Sequence, residues 1–178
     1  MPFEDVFRIS AAIQKRFLGA RLYRASRRLS LYSPFENEVL TDEIFARASS
    51  DGKEVCYPKV LKGKRHLEFF RVKALGELKP GAYEIKEPEK RDEEIDPAGL
   101  DLIVVPGVAF DSRGGRIGYG KGYYDRALKG FTGVVAALAY EFQVLKEDLP
   151  LVGHDQAVSV IFTEKRTIEV QAAGTRNG

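Results

Sequence analysis

Between residues 114 and 124 the chain places five glycines, Arg116, Lys121 and three tyrosines in eleven positions. Glycine tolerates positive φ, and without a Cβ it lets backbone N–H groups come close to an anion. A helix starting near Tyr123 would aim further amides at the same place. Arg116 adds a mobile bidentate fork and Lys121 a compact point charge, both suited to gripping phosphate oxygens. The chemistry such a set supports is phosphate binding, with a nucleoside triphosphate as the natural guest. It is not a Walker A loop, which needs Gly-Lys followed by Ser or Thr. Nor is it the dinucleotide fingerprint, whose Gly-x-Gly-x-x-Gly directly follows a strand. On residue types alone, a wide connection between two elements is the plain alternative.

The elements that must hold this segment are legible around it. The 178 residues suffice for one core and one cleft, so a single α/β domain is expected over residues 1–170, followed by a frayed tail, 171–178. Val6, Ile9, Ile13, Phe17 and Leu18 recur at three- and four-residue steps and predict an amphipathic helix over residues 6–20, with a basic stretch at 21–28. Leu29, Leu31 and Tyr32 predict a short strand stopped by Ser33-Pro34. A helix then opens near Thr41, runs through Ile44, Phe45 and Ala48, and ends at Asp51-Gly52. Residues 54–57, closed by Pro58, and 67–72, after the basic turn 62–65, read as further strands. Residues 84–98, dense in charge and proline, read as an exposed connection. Leu102-Ile-Val-Val105 is apolar throughout, as a central parallel strand buried on both faces requires. A glycine-punctuated loop at 107–122, a helix over 123–128 and strands at 133–139 and 158–163 complete the pattern. Such alternation implies a three-layer α/β sandwich around a mostly parallel, doubly wound sheet, with ligands beyond the strand carboxyl ends.

Other classes are disfavoured. Lys plus Arg number 28 against 26 Asp plus Glu, a balance that gives no broad footprint for nucleic acid or an anionic membrane. No apolar run approaches the roughly 20 residues of a bilayer span. The N-terminus Met1-Pro-Phe-Glu-Asp5 lacks the basic flank of a secretory signal, so a cytoplasmic location is expected. Cys56 is the single cysteine and His66 and His154 the only histidines, which argues against a disulfide or a structural zinc cage. The expected partner is a small-molecule substrate, and the expected state a monomer or weak homo-oligomer.

The order of residues says more than their types. Pro106-Gly-Val-Ala-Phe-Asp111 followed by Arg116-Ile-Gly-Tyr-Gly-Lys-Gly-Tyr-Tyr-Asp-Arg126 resembles the signature of the 5-formyltetrahydrofolate cyclo-ligase family, also called 5,10-methenyltetrahydrofolate synthetase. That signature reads Pro-Gly-x-Ala-Phe-Asp, then Arg-Leu-Gly-x-Gly-x-Gly-Tyr-Tyr-Asp-Arg. Leu31-Tyr-Ser-Pro34, Glu38-Val-Leu-Thr41, Gly52-Lys53, Tyr57-Pro58, Glu87-Pro88, Gln143 and His154-Asp155 follow in the family's order, so the resemblance spans residues 11–165. One departure stands out. The family usually opens with a helix carrying a Lys-x-x-x-Arg pair near the nucleotide phosphates, and no such pair precedes Phe7. Lys15, Arg16, Arg24, Arg27 and Arg28 come later and read as a solvated helix face and end.

The resemblance implies ATP- and Mg²⁺-dependent cyclisation of 5-formyltetrahydrofolate to 5,10-methenyltetrahydrofolate, with ADP and phosphate released. An N-formyl oxygen is a poor leaving group, so phosphorylating it lets N10 attack the formyl carbon and expel phosphate. The protein's work is then positioning and charge neutralisation. By match to the motif, Arg116, Ile117, Gly118, Tyr119, Gly120, Lys121, Gly122, Tyr123 and Tyr124 form the ATP-binding loop. Within it Lys121 stabilises the transferring phosphoryl group and Tyr123 borders the formyl group. Residues 119–123 and Glu38 contact the folate, Glu38 through a pterin N–H edge. Asp125 and Asp155 flank Mg²⁺, as hard oxygen donors do, while His154 is a neighbour. Phe110, Tyr32 and Phe35 are candidate cleft walls. Two other readings remain open at this point: a catalytically weakened ATP- and folate-binding paralogue, or an ATP-dependent enzyme on another formylated or pterin-like substrate.

Overall fold

The computed structural model describes residues 1–61, 63, 65–89, 93–150, 153 and 155–171; the expectations for His154, for Lys62 and Lys64 of the basic turn, and for the tail from 172 lie outside the described residues. Period-two burial organises the centre. In β7 (Leu102–Val105), Leu102 and Val104 pack on one face and Ile103 and Val105 on the other, all at most 1% exposed. The same alternation recurs in β10 (Val134–Leu138) and β12 (Val160–Phe162), where Ala136, Leu138, Val160 and Phe162 oppose Val135, Ala137 and Ile161. Strands buried on both faces need no polar alternation, which is why their sequences run apolar.

β1 (Arg28–Ser30) lies between β7 and β2 (Glu54–Leu61), and the ladder through β12, β10, β7, β1 and β2 is parallel. Antiparallel strands extend both margins: β3 (His66–Arg71) and β6 (Glu94–Ile95) beyond β2, and β13 (Thr167–Glu169) beyond β12. The eight-stranded order is β13-β12-β10-β7-β1-β2-β3-β6. α1 (Phe3–Leu18) and α3 (Asp42–Ser50) cover one face with Ile13, Phe17, Ile44, Phe45 and Ala48. α4 (Tyr123–Leu128) sets Ala127 and Leu128 against the other. The result is the expected layered α/β fold with a mostly parallel, doubly wound sheet. No helix among the described residues is long and apolar enough to cross a membrane.

Some segments depart from expectation for local reasons. Part of the basic stretch 21–28 winds into α2 (Arg21–Ala25), anchored by Tyr23, which is buried and donates to Asp51 Oδ2 at 2.7 Å. Pro58 does not end β2. The Val60 N–H points away from β3 toward Glu87, so the proline two residues earlier faces the same way, past the end of β1, where no ladder bond is lost. The charged stretch 84–98 is not simply an exposed connection: it supplies β5 (Lys86–Pro88), paired with β4 (Leu78–Pro80), as well as β6. Glu87 is buried because its carboxylate accepts that Val60 N–H at 3.2 Å, a tertiary bond that composition does not reveal. The loop 107–122 contains β8 (Ala109–Asp111) and β9 (Arg116–Ile117), which join β11 (Val144–Leu145) in a small separate sheet.

Asp111 pins that loop. Its Oδ1 accepts from the N–H groups of Arg113 and Gly115 at 2.9 and 2.8 Å, and its Oδ2 from Leu149 at 2.7 Å, inside a residue only 1% exposed. A Cβ on Gly115 would sit 2.4 Å from Asp111 Oδ2, so glycine is required there by close approach. Asp111→Ala strips three backbone N–H donors, two of them buried, of their acceptor and should cost about 2–4 kcal/mol of stability. Urea unfolding measures this, and a loss below about 1 kcal/mol would mean that water replaces the carboxylate.

Candidate active site

Strand order reverses between β1 and β7. From β1 the chain winds to β2 on one side, and from β7 it winds through β10 to β12 on the other. Segments leaving the carboxyl ends of β1 and β7 therefore diverge and leave a crevice, the place where such sheets bind ligands. Residues 31–41 leave β1 and bring Tyr32, Phe35 and Glu38. The segment after β7 brings the glycine–tyrosine run.

The two meet through Glu38. Its Oε2 accepts from the Phe35 N–H at 2.9 Å, and its carboxyl group shares a side-chain hydrogen bond with Tyr119. The Phe35 and Tyr119 rings meet edge to face, 6.2 Å between centroids. Burial pushes the Glu38 carboxyl up from 4.5 to about 7, with the nearby Glu36 adding to the rise; the Phe35 amide and Tyr119 bonds oppose it. Tyr32, Tyr119 and Tyr124 have hydroxyl pKa values raised first by desolvation and then by the charge of Glu38. Tyr32 is further fixed by donating to the Val39 carbonyl at 2.8 Å. Phe110 is fully buried in the core beneath the loop and does not wall the cleft.

Lys121 stands at the exposed rim, its Nζ 3.3 Å from the centroid of the Tyr83 ring. The Tyr83 hydroxyl lies 3.4 Å from that of Tyr123, and this hydrogen bond, then the one with Lys121, lowers the Tyr83 pKa. Sequence reasoning missed Tyr83. The available signal was an aromatic residue beside Gly81 in an otherwise polar stretch. Tyr83 and Glu84 both adopt left-handed backbone, φ 59° and 62°, so the turn presenting this ring is strained. Gly122, at φ 64°, lets the chain enter α4, while Ile117, Tyr119 and Gly120 remain exposed and Gly118 and Tyr124 are partly covered. α4 has only six residues, so any anion cradle rests on the loop amides and side-chain cations rather than on a long helix dipole.

Arg116 differs most from expectation. It is not a mobile surface cation: its side chain is 4% exposed and Nη2 lies 3.2 Å from Asp125 Oδ1. Asp125 Oδ1 also accepts the Gln156 N–H at 3.4 Å. Gln143 ties the crevice floor to the next strand, donating from Nε2 to the carbonyls of Gly107 and Val108 at 3.0 and 3.1 Å. No cluster of three or more His, Cys, Asp or Glu side chains among the described residues could hold an ion unaided. A groove of about 940 Å³ between α1, α2 and the β12–β13 margin is lined by neither Glu38 nor Lys121. Its size does not outweigh the chemistry gathered at the strand carboxyl ends.

A sequence model of the 5-formyltetrahydrofolate cyclo-ligase family matches residues 1–164. The chain belongs to that family. Among cyclo-ligase family relatives, a probable 5-formyltetrahydrofolate cyclo-ligase of Caenorhabditis elegans is 36% identical over 129 residues, covering 69% of this chain and 63% of that protein. The Mus musculus 5-formyltetrahydrofolate cyclo-ligase is 30% identical over 173 residues, covering 90% and 85%. The NMR structure of Aquifex aeolicus 5,10-methenyltetrahydrofolate synthetase shares the fold at a TM-score of 0.84 and 34% identity, covering 100% of this chain and 89% of that one.

In this cyclo-ligase family member the raised Glu38 makes a pH prediction. Its folded value of about 7 exceeds the free value of 4.5, so the native state holds the proton to higher pH than the unfolded chain. The associated cost is absent below pH 4.5 and grows as pH rises through 7, reaching roughly 3 kcal/mol at most. Glu38→Gln should therefore melt at nearly the parent's temperature at pH 5 and several degrees above it at pH 8. A melting difference that does not change between these pH values would show that Glu38 ionises without penalty.

Proposed function

We propose that the chain is a 5-formyltetrahydrofolate cyclo-ligase, closing 5-formyltetrahydrofolate to 5,10-methenyltetrahydrofolate as ATP becomes ADP and phosphate in the presence of Mg²⁺. The observation that carries the reading is the meeting of Glu38 with the glycine–tyrosine loop across the β1–β7 crevice, with Lys121 at the exposed rim of that loop. When bound, ATP with Mg²⁺ supplies the activation that converts the formyl oxygen into a leaving group.

The residues then divide the work. Residues 116–124 enclose the phosphates, where the exposed Lys121 ammonium neutralises charge that develops during transfer. Glu38, poised near neutrality, accepts from an N–H edge of the pterin, and that hydrogen bond favours its ionised form. Tyr119, Gly120, Gly122 and Tyr123 line the folate side, and Tyr123 and Tyr83 offer hydroxyls and ring faces beside the formyl group. Asp125 and Asp155 suit the metal in donor chemistry, both being hard carboxylates, and Asp125 already carries a cationic partner. Phosphate oxygens and water complete such a site. The reading extends to a cytoplasmic enzyme, monomeric or weakly self-associating, acting on a small molecule.

The test is absorbance of the methenyl product on mixing purified protein with 5-formyltetrahydrofolate, ATP and Mg²⁺. Product formation is expected; nucleotide binding without product would replace this reading with a weakened paralogue. Lys121→Ala should lower turnover at least tenfold with unchanged thermal melting, because an exposed loop lysine contributes little to stability. Activity within twofold of the parent would remove Lys121 from the chemistry.

A further inference from the structure

Arg116 is bound in a way that its exposed neighbours are not. Nη2 meets Asp125 Oδ1 at 3.2 Å, Nη1 donates to the Pro106 carbonyl at 3.2 Å, and the buried Nε has no hydrogen-bond partner among the described residues. The guanidinium lies over the Tyr124 ring, 5.6 Å from its centroid. A Cβ on Gly107 would come within 3.1 Å of Arg116 Cγ and one on Gly118 within 3.0 Å of Nη1, so the loop closes tightly around the side chain. Burying a guanidinium with an N–H unsatisfied is costly, and a partner carboxylate only partly offsets it. The pair is also unsealed and loose. Asp125 is 21% exposed, its Oδ1 divides itself between Arg116 and the Gln156 N–H, and both contacts, at 3.2 and 3.4 Å, exceed the roughly 2.7–2.9 Å of a strong charge-assisted bond.

We propose that Arg116 is an internal counter-cation, seated on Asp125 while no metal is bound and displaced from it by a divalent cation, so that the released guanidinium turns its Nε and Nη2 to an anionic phosphate. The proposal rests on the reading of Asp125 as a metal-facing carboxylate. A guanidinium and a hard cation compete for one oxygen, and the displaced charge then favours an arriving anion. Metal and phosphate binding are thereby coupled positively through one side chain, and the coupling must be reciprocal. A purely structural ion pair predicts the reverse: removing Arg116 would disorder Asp125 and weaken metal binding.

Mn²⁺ titration into the full chain without nucleotide or folate, with free ion read by electron paramagnetic resonance, separates these cases. Arg116→Gln should bind Mn²⁺ at least fivefold more tightly than the parent, Arg116→Lys should stay near the parent, and Asp125→Asn should lose binding. If Arg116→Gln does not fold, the parent decides by NMR. The arginine side-chain ¹⁵Nε–H resonance of a buried group exchanges slowly, and Mg²⁺ should shift it in the parent but not in Asp125→Asn. Equal or weaker Mn²⁺ binding by folded Arg116→Gln, or a resonance unmoved by saturating Mg²⁺, overturns the exchange. Should Asp125→Asn bind Mn²⁺ like the parent, the metal reading itself falls, and the exchange with it. Cyclo-ligase activity is judged separately by product absorbance.

Discussion

Two residue pairs, Leu29 with Leu102 and Ser30 with Ile103, join β1 to β7, and the crevice depends on that short parallel contact. Because the chain winds outward in opposite directions from this junction, the segments leaving the two strands cannot pack on each other as a continuous layer. Polar and aromatic groups fill the gap: Glu38 and Phe35 from one side, Tyr119 and Tyr124 from the other. The junction is held by burial on both faces, with Leu29 and Leu102 beneath α1 and α3 and Ile103 on the α4 side. A rigid, apolar base thus carries a wet, charged rim.

That division explains what the sequence made legible. Apolar runs at 102–105 and 134–138 announce strands buried on both faces, and the steps of Ile13 and Phe17 announce α1, because hydrophobic periodicity is written in single residues. The composition of the glycine–tyrosine run left a plain connection open, and it was the order of its residues, matching the family signature, that marked it as a candidate site. Elements fixed by a partner far along the chain were not legible. Glu87 reads as one more surface charge until Val60, 27 residues away, supplies the N–H that buries it. β9 has two residues and exists through Phe110 and Ala109 opposite it. Tyr83 acquires meaning only when Lys121 and Tyr123, about 40 residues later, arrive beside it.

Arg116 shows the limit from the other direction. Residue type and motif both assign it to phosphate, yet a guanidinium left in a concave, partly dry loop without an anion must find another acceptor. Asp125, nine positions on and lifted by the first turn of α4, is within reach. Sequence can name the ligand a side chain suits, whereas the partner it keeps in the ligand's absence depends on the folded distances.

Several unfavourable features lie in the segments that border the crevice. Glu38 is held near neutrality by burial, Arg116 keeps an unpartnered Nε, and Tyr83 and Glu84 sit at positive φ. Each costs stability, and the first two would be relieved by a group that donates to the carboxylate or accepts from the guanidinium. Tertiary structure sustains these costs because the sheet beneath is closed on both faces and because Asp111 and Gln143 fasten the loop at points away from the rim. The fastening acts at residues 107–115, upstream of Ile117, Tyr119, Gly120 and Lys121, which stay exposed. Strain at the rim and rigidity at the base are therefore one arrangement, since a softer base would let Glu38 rehydrate and Arg116 swing outward, and the crevice would relax before any ligand reached it.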